Sequence, residues 1–156
     1  MNSEAPKLRI LVLHGPNLNL LGRREPGVYG NETLASIEAR IGALAEARQC
    51  TLEFFQANAE HAIVERIHEA MDDATDGILI NPAAFTHTSV AIRDALAAAG
   101  LPFVEVHLTN PDAREPFRHT SMLADLAAGR VSGFGGESYI LGFLGLCSLL
   151  GPVASE

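Results

Sequence analysis

Apolar residues along this chain fall into two alternating patterns. Residues 8–14 (LRILVLH) form a continuous apolar, β-branched run, as expected of a buried parallel strand. Gly15-Pro16-Asn17 stops it, and a loop rich in glycine and charge follows to Gly30. Across residues 33–48 the spacing changes to helical, with Leu34, Ile37, Ile41, Leu44 and Ala45 on one face. The alternation then repeats. Strands are predicted at 51–56, 77–81, 103–107 and 131–134. Helices are predicted at 59–74, at 89–99 with Thr88 as cap, as a short piece at 121–128, and at 137–150. A polar, proline-interrupted connection occupies 109–117.

Five β–α units in this length predict one α/β domain over residues 1–156, built on an open, doubly wound parallel sheet. Its size points to the flavodoxin-like five-stranded order 2-1-3-4-5. Such sheets bind ligands beyond the carboxyl ends of their strands, at the switch between strands 1 and 3. The places to inspect are therefore those after His14, Ile80 and Val106.

Composition narrows the partners. The formal net charge of −8 argues against nucleic acid, which demands an excess of lysine and arginine. It leaves room for a small anion, because a few local arginines can dominate one cleft. Residues 1–6 have no apolar core of a secretory signal, and the apolar run at 139–151 is too short for a membrane span. Cys50 and Cys147 stand in no metal or redox spacing and are expected to be reduced thiols of a cytoplasmic protein.

Several chemistries lack their residues. Lys7, the only lysine, precedes the first strand, which disfavours a Schiff base. There is no Gly-x-Ser-x-Gly elbow and no Gly-x-Gly-x-x-Gly after strand 1. The histidines lack zinc spacing and no carboxylate cluster suggests magnesium, so neither metal nor cofactor is expected. What remains is acid–base chemistry on a small anionic substrate.

The predicted strand ends carry suitable groups. Asn17 follows strand 1, and the loop beyond it holds Arg23, Arg24 and Tyr29. Asn81 ends strand 3 and leads into Thr86-His87-Thr88-Ser89. Glu105 and His107 are two apart on strand 4 and so share a face. Arg114 and Arg118 follow, four apart and able to share a face if helical. Singly, each has an ordinary structural reading: a hydrogen-bonded histidine, a solvated arginine loop, a packed turn tyrosine, an Arg93–Asp94 surface pair. Their convergence on one rim is what favours a site.

These residues also carry a resemblance. Residues 13–30 (LHGPNLNLLGRREPGVYG), 81–94 (NPAAFTHTSVAIRD) and 105–118 (EVHLTNPDAREPFR) closely resemble the signatures of type II 3-dehydroquinate dehydratases. The turn at Ser132-Gly133-Phe134-Gly135 matches too, so the likeness runs in order along essentially the whole chain. It implies a flavodoxin-like fold and loss of water from 3-dehydroquinate to give 3-dehydroshikimate, in aromatic biosynthesis or quinate breakdown, without metal or cofactor. By the same resemblance Tyr29 is the base at C2, and Arg24 stabilises its charged form. Asn17 holds a water against the enolate oxygen, and His107, supported by Glu105, is the acid for the C1 hydroxyl. Asn81, His87 and Arg118 bind substrate, with the backbone of Leu108 and Thr109 holding its carboxylate. Asp94 reaches a neighbouring subunit's site, since the family assembles as trimers stacked into dodecamers. Arg114 matches a recurrent family position.

The residue types suit the reaction. A free phenol titrates near pH 10, so a tyrosinate base near pH 7 needs roughly 4 kcal/mol of help. One guanidinium in a closed site lowers a neighbouring acid by about 1–3 pH units, which favours a loop that closes only over substrate. Three positions depart from the commonest family pattern: His14 stands where Asn is frequent, Phe85 where Tyr is, and Thr109 where Ser is. None removes a catalytic group. The alternative reading is a flavodoxin-like anion-binding or structural oligomeric module without activity.

Overall fold

The computed structural model describes residues 7–23, 25–29 and 31–151 of the chain, with positions 28 and 29 described by backbone alone. Five strands, β1 (Arg9–His14), β2 (Thr51–Gln56), β3 (Gly77–Asn81), β4 (Phe103–His107) and β5 (Gly129–Ser132), form one parallel sheet in the order β2-β1-β3-β4-β5. This is the doubly wound order the strand pattern predicts. The helices are α1 (Pro26–Tyr29), α2 (Leu34–Ala47), α3 (Glu60–Ala70), α4 (Val90–Ala99) and α5 (Glu137–Leu150).

Alternation along each strand splits the core between the two faces of the sheet. Ile10, Val12, Leu79, Val104 and Val106 pack with Ile37 and Ile41 of α2 and with Tyr139, Phe143 and Leu146 of α5. Leu11, Leu13, Ile78, Ile80 and Phe103 pack with Ile63 and Ile67 of α3 and with Ile92 and Leu96 of α4. The central strands β1 and β3 are apolar between their ends because both their faces are covered. Among the described residues, no helix is long and apolar enough to cross a membrane.

Register decides what the sheet presents at its carboxyl edge. Gln56, His14 and Asn81 lie side by side. Ile80 pairs with Glu105, so β4 projects beyond β3 and carries His107 past the level of Asn81. Immediately after β1, Gly15 donates its N–H to the Asn81 carbonyl at 2.7 Å. A Cβ at Gly15 would lie 2.3 Å from the Pro82 carbonyl oxygen, so only glycine lets the two strand ends approach this closely.

Four local expectations are corrected. Helix α4 is capped by Ser89, whose hydroxyl accepts the Ile92 N–H at 2.9 Å, and not by Thr88. Helix α3 ends at Ala70, because the Asp73 carboxylate takes up Arg66 at 3.2 Å and the Thr75 N–H at 3.1 Å and turns the chain back toward β3. The short helix expected at 121–128 is absent. Its first polar groups are engaged elsewhere: Met122 N–H on the Thr86 carbonyl, Met122 carbonyl on Arg93, Leu123 N–H on the Ser121 hydroxyl. Finally, β5 begins two residues earlier than predicted. Gly129 pairs with Val104, and the chain leaves the sheet at Gly133, whose φ is +100°.

The tertiary structure also packs Cys50, between α2 and β2, and Cys147 of α5 against the same core cluster, both reduced and half-buried. Burial, with Cys50 alongside, pushes the Cys147 thiol up to about 11.

Helix α5 lies on the sheet at Gly142, where a Cβ would come within 2.6 Å of Val106 Cγ2 and 3.0 Å of Leu79 Cδ1. Gly142→Ala is therefore expected to destabilise the protein by about 1–3 kcal/mol, despite alanine's better helix propensity. Urea unfolding checks this. The midpoint should fall with the slope unchanged, and an unchanged or raised midpoint would mean that α5 can lift without cost.

Candidate active site

The carboxyl ends of β1, β3 and β4 open into one cleft, enclosing about 730 Å³ of non-protein space including its mouth. Asn17, Leu18 and Leu21 line one wall. Leu18 and Leu21 are buried in the core, so they anchor the loop after β1 to the domain. Asn17 adopts a left-handed conformation (φ 69°), and its N–H is held by the Asn58 side chain at 2.9 Å. Gln56 steadies the same corner, donating to the Gly15 carbonyl at 3.2 Å and to Asn58 at 3.1 Å.

Asn81 and His87 line the β3 side. The Asn81 amide oxygen accepts the Ala83 N–H at 3.0 Å, which starts the 3-10 turn Ala83–His87. His87 places Nδ1 2.8 Å from the Thr120 carbonyl, an acceptor, so Nδ1 carries the proton and Nε2 is left as the nitrogen for a ligand.

The β4 side holds the strongest electrostatic feature. Glu105 has no solvent exposure and receives four donors. These are His107 Nε2 at 2.6 Å, Thr86 Oγ1 at 2.6 Å, Ser121 Oγ at 2.9 Å and Arg130 Nε at 3.2 Å. Burial alone would favour the neutral acid. Instead the bonds from His107 and Thr86, with the charges of His107 and Arg130, hold the carboxyl down at about 2. An ionised Glu105 fixes the His107 proton on Nε2 and leaves Nδ1 as the nitrogen for the cleft.

Leu108 and Thr109 continue from β4 along the cleft, and Arg114 and Arg118 close its far side. No helix brings these arginines together. Two 3-10 turns, Pro111–Ala113 and Pro116–Arg118, fold the segment back so that both still face the same space. Arg118 is steadied by Glu115 at 3.1 Å. The cleft thus pairs two cations with a carboxylate-backed histidine, a constellation able to hold a small anion and deliver a proton to it.

Eight positions picked out from the sequence meet here: Asn17, Asn81, His87, His107, Leu108, Thr109, Arg114 and Arg118. Glu105 stands directly behind them. Arg24 and the side chain of Tyr29 lie outside the described residues. Asp94 is exposed on α4 and does not line this chain's cleft. It is not the salt-bridge partner of Arg93 either, whose guanidinium forks onto Asp125, at 2.9 Å through Nη2, and bonds the Met122 carbonyl. Phe85, where tyrosine is frequent in the resembled family, is a partly buried member of the α3–α4 core. Thr86 was read from the sequence only as part of a polar stretch. Ser121 and Arg130 were missed altogether, because their role exists only through a carboxylate reached from other segments. A buried acid two residues before a histidine on the same strand is the signal that something must satisfy it.

Fold and site together define a doubly wound α/β enzyme of the acid–base type, with its cleft at the strand switch point. Comparison with known proteins identifies the kind. The family model described as dehydroquinase class II matches residues 8–147, and the chain belongs to that family. A 3-dehydroquinate dehydratase of Xanthomonas campestris pv. campestris is 64% identical over 132 residues, covering 85% of this chain and 89% of that one. The crystal structure of the type II dehydroquinase from Butyrivibrio crossotus superposes with a TM-score of 0.87 at 41% identity, covering 92% of this chain and 97% of that one. That of Propionibacterium acnes gives 0.86 at 40% identity, covering 94% and 99%.

Two buried groups at the strand ends make stability depend on pH in adjoining windows. Burial lowers His14 from 6.5 to about 4, so its contribution is present above pH 6.5 and is lost as pH falls toward 4. Glu105 is lowered from 4.5 to about 2, so its contribution is present above pH 4.5 and is lost as pH falls toward 2. Each window carries about 3 kcal/mol. In urea melts across pH, His14→Asn should flatten the loss between pH 6.5 and 4 while leaving the loss below 4.5. An unchanged upper window in that variant would show that His14 is not the group responsible.

Proposed function

We propose that this chain dehydrates 3-dehydroquinate to 3-dehydroshikimate by the type II route, as a hydro-lyase of the shikimate pathway. The observation that carries the reading is the meeting of three separate sequence motifs in one cleft, in a member of the dehydroquinase class II family.

The reaction removes a C2 proton next to a ketone, forms an enolate, and then breaks the C1–O bond to release water. The proposed base is Tyr29 as phenolate, with Arg24 stabilising its charge. As the enolate collapses, His107 gives its Nδ1 proton to the departing hydroxyl. Glu105 supports the imidazolium that must exist just before this transfer, and the two-residue spacing on β4 makes that support direct. Asn17 is assigned to a water that stabilises the enolate oxygen. Arg118, Asn81 and His87 bind the substrate, and the Leu108 and Thr109 N–H groups receive its carboxylate. Arg114, on the same wall of the cleft, adds positive charge beside that carboxylate. Thr109 offers the same backbone donor that serine would.

The proposed assembly is a trimer stacked into a dodecamer, in which Asp94 completes the neighbouring subunit's site. Its exposure on α4, away from its own cleft, suits that role. The proposed location is the cytoplasm, which suits the two reduced thiols.

The direct test is to mix purified protein with 3-dehydroquinate and follow the ultraviolet absorbance of the conjugated enone. Steady growth of that absorbance is expected, and none would sink the proposal. Tyr29→Phe should slow turnover at least about 100-fold while leaving the fold intact, the usual scale for a general base. His107→Ala should act mainly on kcat, and Arg118→Ala mainly on KM.

The shared site has its own test. Tyr29→Phe and Asp94→Ala should each be severely impaired. Co-refolding the two should then restore activity above either alone, because some sites draw a sound Tyr29 from one chain and a sound Asp94 from another. Mixed oligomers confirmed by mass with no recovered activity would remove Asp94 from the neighbour's site.

A further inference from the structure

The turn that carries Asn17 is held from the end of β2 by groups that the proposed chemistry does not use. Three successive residues reach across to it. Gln56 Nε2 donates to the Gly15 carbonyl at 3.2 Å. The Ala57 N–H donates to the His14 carbonyl at 3.1 Å. Asn58 Oδ1 accepts the Asn17 N–H at 2.9 Å. Gln56 Nε2 also donates to Asn58 Oδ1 at 3.1 Å, which joins the two amides. On its other side the turn is tied to β3, through the Gly15 N–H and the Asn81 carbonyl.

Two backbone groups settle how both amides face. The Asn17 N–H can only donate, so the Asn58 atom beside it is the oxygen. The Gly15 carbonyl can only accept, so the Gln56 atom beside it is the nitrogen. The contact between the two amides, nitrogen to oxygen, agrees with both assignments. The turn depends on these bonds. Asn17 is exposed and its backbone is left-handed (φ 69°), so packing contributes little to holding it. Its carbonyl accepts the Leu20 N–H at 3.0 Å and starts the 3-10 turn Leu18–Leu20. Its side chain makes no capping bond to that turn and stands on the cleft wall.

We propose that Gln56 and Asn58 are positioning residues: from the end of β2 they hold the turn Gly15–Asn17 in the conformation that sets the Asn17 side chain against the substrate cleft. This rests on the assignment of Asn17 to the water that stabilises the enolate oxygen. Neither residue lines the cleft. Asn58 acts through the Asn17 backbone, and Gln56 acts through Gly15 and through Asn58. The enolate exists only on the way to product. A loosened Asn17 therefore slows turnover and leaves ground-state binding nearly as it was.

The two amides play opposite parts, which makes the test specific. In these bonds Asn58 serves only as acceptor, so an aspartate can replace it, whereas Gln56 serves only as donor, so a glutamate cannot. The readout is kcat and KM for 3-dehydroquinate on the assembled enzyme at neutral pH. Asn58→Leu and Gln56→Leu should each lower kcat about 5-fold, with KM within about 2-fold, the scale of one hydrogen bond. Asn58→Asp should bring kcat back to within about 2-fold of the unaltered enzyme, since both donors find an oxygen again. Gln56→Glu should be at least as slow as Gln56→Leu, because its carboxylate faces two acceptor oxygens. A merely structural role would make acid and leucine variants alike at both positions, and that result overturns the proposal. Asn17→Gly removes the Asn17 side chain and keeps the left-handed turn accessible. Beside it, Asn58→Leu should add less than about 2-fold, because the group it positions is gone. A full, multiplicative loss in that double variant also overturns the proposal. A normal kcat for Asn17→Gly alone would instead remove Asn17 from the chemistry, and the proposal with it.

Discussion

A carboxylate without solvent must find all its partners inside the protein, and the partners of Glu105 come from four places in the chain. Thr86 reaches it from the turn after β3, Ser121 from the connection before β5, Arg130 from β5 itself, and His107 from two residues along β4. An unpaired buried charge costs several kcal/mol, so these segments are tied to one point. The segment expected to be helical at 121–128 follows a different path for this reason. Its first residue bonds the carboxylate, and the next two bond Thr86, Arg93 and Ser121.

The same carboxylate organises the chemistry. By remaining ionised it fixes the His107 proton on Nε2 and leaves Nδ1 as the nitrogen for the cleft. The interaction lies at the end of β4 because parallel strands of unequal reach carry His107 beyond Asn81. The cleft is thus a consequence of register. β1 and β3 end level and close together at Gly15 and Asn81, while β4 overshoots and supplies the far wall.

Two polar systems flank this cleft and differ in charge. The Glu105 group is ionised and bound by cations. The buried His14–Tyr139 pair is neutral, because burial holds the imidazole down at about 4 and pushes the phenol up. The physical difference is the Arg130 guanidinium and the other donors that meet Glu105, whereas among the described residues no guanidinium or ammonium bonds the Tyr139 hydroxyl.

Much of this was readable from the order of residues alone. Continuous apolar runs alternating with helical spacing define five parallel strands and their helices, since a strand covered on both faces is apolar except where the fold supplies partners for a polar group. β2, β3, β4 and α5 fall at their predicted residues. The pairing of Glu105 with His107 follows from the two-residue period of a strand, and the position of the site follows from the doubly wound order. The tertiary structure alone decided the features that depend on partners distant in sequence. Ser121 and Arg130 have no local signature, because their purpose is to satisfy a charge on another strand. The cap of α4 passed from Thr88 to Ser89 because capping depends on where the chain enters the helix, and adjacent hydroxyls read alike in sequence. Arg114 and Arg118 reach one cleft without a helix, through two proline-led 3-10 turns that no periodicity announces. Cys50 and Cys147, unrelated by any motif spacing, come near each other because α2 and α5 pack against one another on the same face of the sheet.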